Sequence, residues 1–278
     1  MPLHKIRHLF LDLDGTLYRG NTLLEPTRPF LDTLKRRNLG FTFLTNNATK
    51  SRRDYLAHLR KLGIDATDDQ LCSSAHAALH YLRKTRPDVR RLLVLGSSSL
   101  AQELTESGYE ISDTPEAVIV SWDPRVTFDE ICHAAWWIAR GLPYIATHPD
   151  ATCPTDRPRR LMLECGSICA AIANATGRHP DKITGKPDPL MVQSVMEQQN
   201  LRPDQVLVVG DRLDTDMALA RNAGAPGALV LTGCTDAAAA ASAPHPPDFV
   251  FPDIGRLTRI LSDDCPSPLP ARAGCMYT

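Results

Sequence analysis

Two aspartates one residue apart close an apolar run, Asp12 and Asp14 in Leu9-Phe10-Leu11-Asp12-Leu13-Asp14-Gly15-Thr16-Leu17. In a strand, residues two apart face the same side, so the spacing predicts both carboxylates in one place, with Gly15 and Thr16 opening a turn. At about 4 Å and an effective dielectric near 20, two like charges cost roughly 4 kcal/mol. Such a pair invites a divalent cation, a shared proton, or both. The plainer alternative is a strand end whose aspartates cap the next turn.

Three further sets share that placement, at the end of a strand-like run or the start of a helix. Leu44-Thr45-Asn46-Asn47 offers a hydroxyl, an amide and backbone N–H groups suited to phosphate oxygens. Thr184-Gly185-Lys186-Pro187-Asp188-Pro189 sets one lysine before a helix whose N-terminus favours anions. Val209-Gly210-Asp211-Arg212-Leu213-Asp214-Thr215-Asp216 is a second acidic cluster after an apolar strand. Taken singly, Thr45 and Asn46 are turn formers, Lys186 is a solvated lysine, and Asp211 and Asp216 are helix caps. Their joint presence in this order is much harder to dismiss.

The elements that must position these residues alternate in type. Apolar patterning predicts a strand over 6–12, a helix over 26–37, an extended stretch over 40–47 and a helix over 51–62, with Ser51 and Asp54 as a capping box. Near the C-terminus come a strand over 206–211, a helix over 213–223 and a strand over 228–232. Strands separated by helices imply right-handed crossovers, hence an α/β fold with a doubly wound, Rossmann-like parallel sheet that binds ligands at its carboxyl edge. The middle carries its own strands (92–95, 117–121, 144–147) and helices (98–108, 128–140, 167–177). This predicts a core over 1–77 and 181–278 interrupted by an inserted α/β cap over 78–180. The run 237–241 is either a short helix or a linker, and the Pro- and Ala-rich tail beyond about 263 has little to bury.

Composition narrows the classes. Across 278 residues, 31 Lys and Arg nearly balance 32 Asp and Glu for a net charge of -1, so nothing global favours nucleic acid or an anionic membrane. No apolar run reaches the roughly 18 residues that span a bilayer, and residues 1–7 lack a signal-peptide core, which makes the cytoplasm the expected location. The eight cysteines then read as reduced thiols. Cys165 and Cys169, with Cys153 nearby, raise a thiolate metal site, but there is no C-x-x-C pair and no His at ligand spacing.

The order of the four motifs resembles the haloacid dehalogenase (HAD) superfamily of aspartate-nucleophile phosphohydrolases. Asp12-Leu13-Asp14-Gly15-Thr16 is similar to its first motif, Thr45-Asn46-Asn47 to the second, Gly185-Lys186-Pro187 to the third, and Gly210-Asp211 with Asp216 to the fourth. The long insertion, Ala146-Thr147-His148-Pro149-Asp150 and Gly177-Arg178 resemble the large-cap subgroup of NagD-type and 4-nitrophenylphosphatase-like members. His148 stands where many of those proteins carry Asn. The resemblance implies a Mg²⁺-dependent phosphomonoesterase acting on small phosphorylated metabolites: a sugar phosphate, a nucleotide or a phosphorylated acid. By it, Asp12 is the nucleophile and Asp14 the proton carrier, and Thr45, Asn46 and Lys186 hold the phosphoryl group. Asp12, Asp211 and the Asp14 carbonyl then hold the metal, with Asp216 behind them or paired with Lys186. The resemblance alone raises a homodimer formed through the cap. A phosphotransferase using the same aspartyl-phosphate, and a phospho-aspartate switch, are the competing classes.

A cap closes over the site and touches the leaving group, so specificity is expected within about 145–166. His148 and Asp150 are candidates there, against a turn with two exposed polar side chains. Arg157, Arg159 and Arg160 would recognise a second phosphate or a carboxylate if they face the core, against a solvated charge run. Trp122, Trp136 and Trp137 either stack on a base or pack the cap's own core; the core is expected, because Phe128, Ile131, Trp136 and Ile138 lie among helix-forming residues.

Overall fold

The computed structural model describes residues 3–153 and 161–262. Arg157, Arg159, Arg160 and the C-terminal tail lie outside the described residues. The chain forms two compact units. One gathers residues up to Leu44, His58–Cys72 and those from Lys186 onward; the other gathers Thr45–Ala57 and Ser73–Gly185.

The first unit is built on a six-stranded sheet in the order Phe249–Phe251, Gly227–Val230, Val206–Gly210, His8–Asp12, Gly40–Thr45, Leu71–Ser73. His8–Asp12 runs parallel to both neighbours. Its residues and those of Val206–Gly210 are buried throughout, as unbroken apolar strands are when helices cover both faces of a sheet. The helices Thr27–Arg36 and Ile254–Leu261 pack together, burying Phe30, Leu31 and Leu34 on one and Ile254, Leu257 and Leu261 on the other. From His8–Asp12 the chain adds strands to one side, and from Val206–Gly210 it adds them to the other. The order therefore reverses between these two strands, the switch point at which open α/β sheets bind ligands. Leu11 pairs with Val209, so Asp12 and Asp211 leave the sheet at the same edge.

The helix expected over 213–223 is divided. A wide π-helical turn, Leu213–Met217, precedes the α-helix Ala218–Ala223. Within it Asp216 folds back to accept a hydrogen bond from the Arg212 N–H at 3.1 Å. Such turns recur where a helix must present a functional group. The run Ala237–Ala241 is a short helix whose N-terminus is capped by Asp236.

The second unit has a five-stranded parallel sheet in the order Lys182–Ile183, Tyr144–Ala146, Ala117–Val120, Arg91–Leu95, Glu110–Ile111. Alternate residues of its central strand feed two cores: Ala117 and Ile119 join Leu79, Leu82, Leu100 and Leu104, whereas Val118 and Val120 join Ala134, Ile138, Ile168 and Ile172. The helix Ser74–Thr85 starts directly after the Leu71–Ser73 strand and buries Ala75, Ala78, Leu79 and Leu82 in the first of these cores. That packing carries the unit back to Ser73, ahead of residue 78. In its Thr45–Ala57 part the Ser51–Asp54 capping box is formed, with Ser51 Oγ accepting from the Asp54 N–H at 3.2 Å.

Two expected core residues are elsewhere. Phe128 is 80% exposed and Trp136 47% exposed, while Trp122 and Trp137 pack partly buried against the second core. On the Phe128–Ala139 helix, Ala134 and Ile138 face inward. Residues 128 and 136, two four-residue steps apart, lie on another face, where the Arg140 guanidinium stacks 3.3 Å over the Trp136 ring. Among the described residues, no helix is long and apolar enough to cross a membrane.

Candidate active site

Asp12 is the last residue of its strand and is buried. Its Oδ2 accepts a hydrogen bond from Thr16 Oγ1 at 3.1 Å and its Oδ1 one from Lys186 Nζ at 2.5 Å. Lys186, 4% exposed, also donates to Asp216 Oδ1 at 2.7 Å, so it is no surface lysine. Asp211 Oδ2 accepts from the Cys234 N–H at 2.6 Å. One carboxylate oxygen each from Asp12, Asp211 and Asp216 lies within 4.8 Å of the others. Glycines make room for this cluster. Gly15 has φ +86°, and a Cβ there would stand 2.6 Å from Asp211 Oδ2; a Cβ at Gly210 would overlap the Asp216 carboxyl group.

The electrostatics follow from burial. Desolvation raises the pKa of Asp12, Lys186 draws it back down, and Asp211 pushes it up again. Asp211 is raised by burial and then by Asp216. Asp216 is raised by burial and by Asp12 against the pull of Lys186. Burial opposes charge on Lys186, but Asp12 and Asp216 outweigh it and hold the ammonium protonated. Three buried carboxylates thus face one ammonium, an excess of negative charge. The donor set is hard oxygen throughout, which fits Mg²⁺, and a divalent cation offsets that excess.

Asp14 departs from the expected pairing. The strand ends at Asp12 and the chain turns at Leu13, whose carbonyl accepts from the Leu17 N–H at 2.9 Å, so strand alternation does not extend to Asp14. Asp14 is exposed, and the like charges that crowd Asp12 are Asp211 and Asp216.

In the second unit, Thr45 is buried and its Oγ1 accepts from the Asn47 N–H at 3.2 Å. This turn ends the strand at Thr45, short of the expected Asn47. Asn46 donates from Nδ2 to Asp150 Oδ2 at 2.8 Å. His148 and Asp150 are buried, which rules out the exposed turn. His148 Nδ1 lies 2.9 Å from Thr147 Oγ1 and Nε2 lies 3.0 Å from Glu164 Oε2. Burial disfavours an imidazolium, yet the Glu164 bond and the neighbouring Asp150 raise the pKa of His148 above its ordinary value. Glu164 escapes sequence reasoning: an acidic residue just before the Cys165–Thr176 helix looks like an ordinary helix-start residue. Cys165 and Cys169 share a face of that helix, Sγ to Sγ 3.9 Å, as buried thiols. Among the described residues, two groups of side chains are close enough to hold a cation, Asp12 with Asp211 and Asp216, and His148 with Asp150 and Glu164, and neither includes a cysteine. Arg157, Arg159 and Arg160 are not among the described residues.

Comparison with known proteins places these residues in context. A family profile described as haloacid dehalogenase-like hydrolase matches residues 9–110, and one described as HAD-hydrolase-like matches 183–257. The chain is 30% identical over 246 residues to an acid sugar phosphatase of Staphylococcus aureus, covering 88% of this chain and 93% of that one. It is 35% identical over 233 residues to the D-glycerol 3-phosphate phosphatase of Mycobacterium tuberculosis, a match that takes in 82% of this chain but only 64% of that relative's length. Among solved structures, the 4-nitrophenylphosphatase of Thermotoga maritima superposes with a TM-score of 0.89 at 37% identity, covering 93% of this chain and 98% of that one. NagD of E. coli gives 0.81 at 29% identity, with 90% and 97% covered. A magnesium complex of the M. tuberculosis glycerol phosphate phosphatase gives 0.83 at 33%, with 94% and 81% covered.

Proposed function

Because the chain belongs to the haloacid dehalogenase-like hydrolase family and is a phosphatase similar to NagD and the 4-nitrophenylphosphatases, we propose that it hydrolyses small phosphate monoesters through a phosphoryl group carried on Asp12. The observation that carries this is the buried Asp12 carboxylate at the sheet's switch point, ion-paired with Lys186 and crowded by Asp211 and Asp216.

Asp12 attacks phosphorus in line with the leaving oxygen. A P–O bond forms to its carboxylate as the bond to the leaving group breaks. Attack needs an ionised carboxylate, and Lys186 opposes the burial that would protonate it. Asp14 gives its proton to the departing alkoxide and then takes one from the water that hydrolyses the aspartyl-phosphate. Its exposed position lets it exchange protons with solvent between the two steps. Thr45 and the Asn46 N–H hold the phosphoryl oxygens, and Lys186 offsets the charge that gathers on them. Asp12, Asp211 and the Asp14 main-chain carbonyl would hold Mg²⁺, which when bound supplies fixed positive charge against the phosphoryl and carboxylate oxygens.

The substrate is a small phosphorylated metabolite of the kind the relatives' names describe, a polyol or sugar phosphate, with nucleotides and phosphorylated acids as further members of the class. His148 and the Arg157, Arg159 and Arg160 segment are the cap's candidates for selecting among them. Steady-state hydrolysis of a phosphate-ester panel, with and without Mg²⁺ and alongside Asp12→Asn, tests the proposal. Turnover that chelation abolishes and Asp12→Asn nearly eliminates supports it; full activity in Asp12→Asn sinks it. Replacing the three arginines should change substrate preference more than activity on small, featureless esters.

A further inference from the structure

Asn46 is gripped from several sides within its own unit. Its Nδ2 donates to Asp150 Oδ2 at 2.8 Å, and its carbonyl accepts from Ser74 Oγ at 2.6 Å. Its Oδ1 lies toward Gly185, where a Cβ would come within 2.6 Å of it. A carboxamide can flip and exchange donor for acceptor, but a carboxylate only accepts, so Asp150 admits Nδ2 alone and excludes the flipped form. Asp150 is itself buried and held: its carbonyl accepts from the Gly166 N–H at 2.8 Å, and a side chain at Gly166 would collide with Pro149. Nothing in this arrangement requires Asp150 to touch a leaving group.

We propose that Asp150 is a positioning residue for phosphoryl transfer, whose carboxylate orients Asn46 and with it the Asn46 N–H that meets the phosphoryl oxygens. This assignment rests on Asn46 holding the phosphoryl group. It differs from a specificity role in a measurable way, because a residue acting through Asn46 affects every phosphate ester alike. A hydrogen bond to a charged group carries enough energy that its loss should cost roughly tenfold to a hundredfold in kcat/KM.

The test is a double-mutant cycle of Asp150→Ala and Asn46→Ala on the full chain. The readouts are kcat and KM on 4-nitrophenyl phosphate and on a sugar phosphate, with thermal midpoints recorded for each variant. Asp150→Ala should lower kcat/KM by the same factor on both esters, and Asp150→Asn, which keeps a carbonyl acceptor, should recover most of it. In the Asn46→Ala background, Asp150→Ala should cost no more than about a further twofold. Asp150→Ser, too short to reach Nδ2, repeats the cycle if Asp150→Ala does not fold. Additive losses, or losses confined to one ester, overturn the positioning role while leaving Asn46 in place. Unchanged hydrolysis in Asn46→Ala, which keeps the main-chain N–H and loses only the carboxamide that Asp150 holds, overturns the positioning role alone.

Discussion

Lys186 Nζ and Asp12 Oδ1 lie 2.5 Å apart, both buried, across 174 residues of sequence. The ammonium pulls against the desolvation that raises the carboxylate's pKa, and the carboxylate in turn helps hold the buried ammonium protonated.

Lys186→Met should therefore cripple both turnover and folding. Removing one partner of a buried pair costs about 3–5 kcal/mol, since Asp12 and Asp216 are left without their cation. Urea unfolding of the metal-free protein should show a loss of that order, and a stability equal to the parent's would contradict the role given to the pair.

Divalent cation should stabilise the protein as well as activate it. Mg²⁺ should raise the thermal midpoint of the parent and do so far less in Asp211→Asn, which removes a carboxylate charge from the cluster. Calorimetric scans across a Mg²⁺ titration check this, and an equal rise in both proteins would remove Asp211 from the proposed ligand set.

Gly15→Ala places a methyl group 2.6 Å from Asp211 Oδ2 at a backbone φ of +86°. The backbone strain alone should cost about 1–2 kcal/mol, and displacement of Asp211 should lower kcat by more than that stability loss implies. Stopped assays at saturating substrate, set beside the unfolding curves, separate the two effects.

His8 supplies an acid-sensitive element away from this cluster. Burial lowers its pKa from 6.5 to about 4, and it packs with Nε2 2.9 Å from Thr42 Oγ1. Below pH 6.5 the unfolded chain takes up the proton first, so stability is fully present above that pH and falls as pH drops toward 4. The loss approaches about 3 kcal/mol. Urea midpoints between pH 7 and 4 should fall less steeply in His8→Gln than in the parent; identical slopes would show that His8 does not drive the loss.

How legible was all this in the amino-acid order? Asp12 and Asp211 stand out because each ends an unbroken apolar strand, and a parallel sheet brings such ends to one edge. Lys186 stands out by motif, although its burial depends on Asp12 and Asp216, which only the folded chain supplies. Asp14 stands beyond the turn at Leu13, so strand periodicity that ends at Asp12 does not say where its side chain points. Glu164 gave no signal, since its partner His148 is 16 residues away in sequence. Trp136 shows the remaining limit: an aromatic residue among helix formers says little about which face of the helix it occupies.

Trapping the phosphoryl group on the enzyme tests the central claim most directly. Acid-quenching the reaction during turnover, reducing any acyl phosphate with borohydride and mapping peptides by mass spectrometry should find homoserine at position 12 in the parent and none in Asp12→Asn. An unmodified Asp12 during active turnover, or reduction at Asp14 or Asp211 instead, would contradict it.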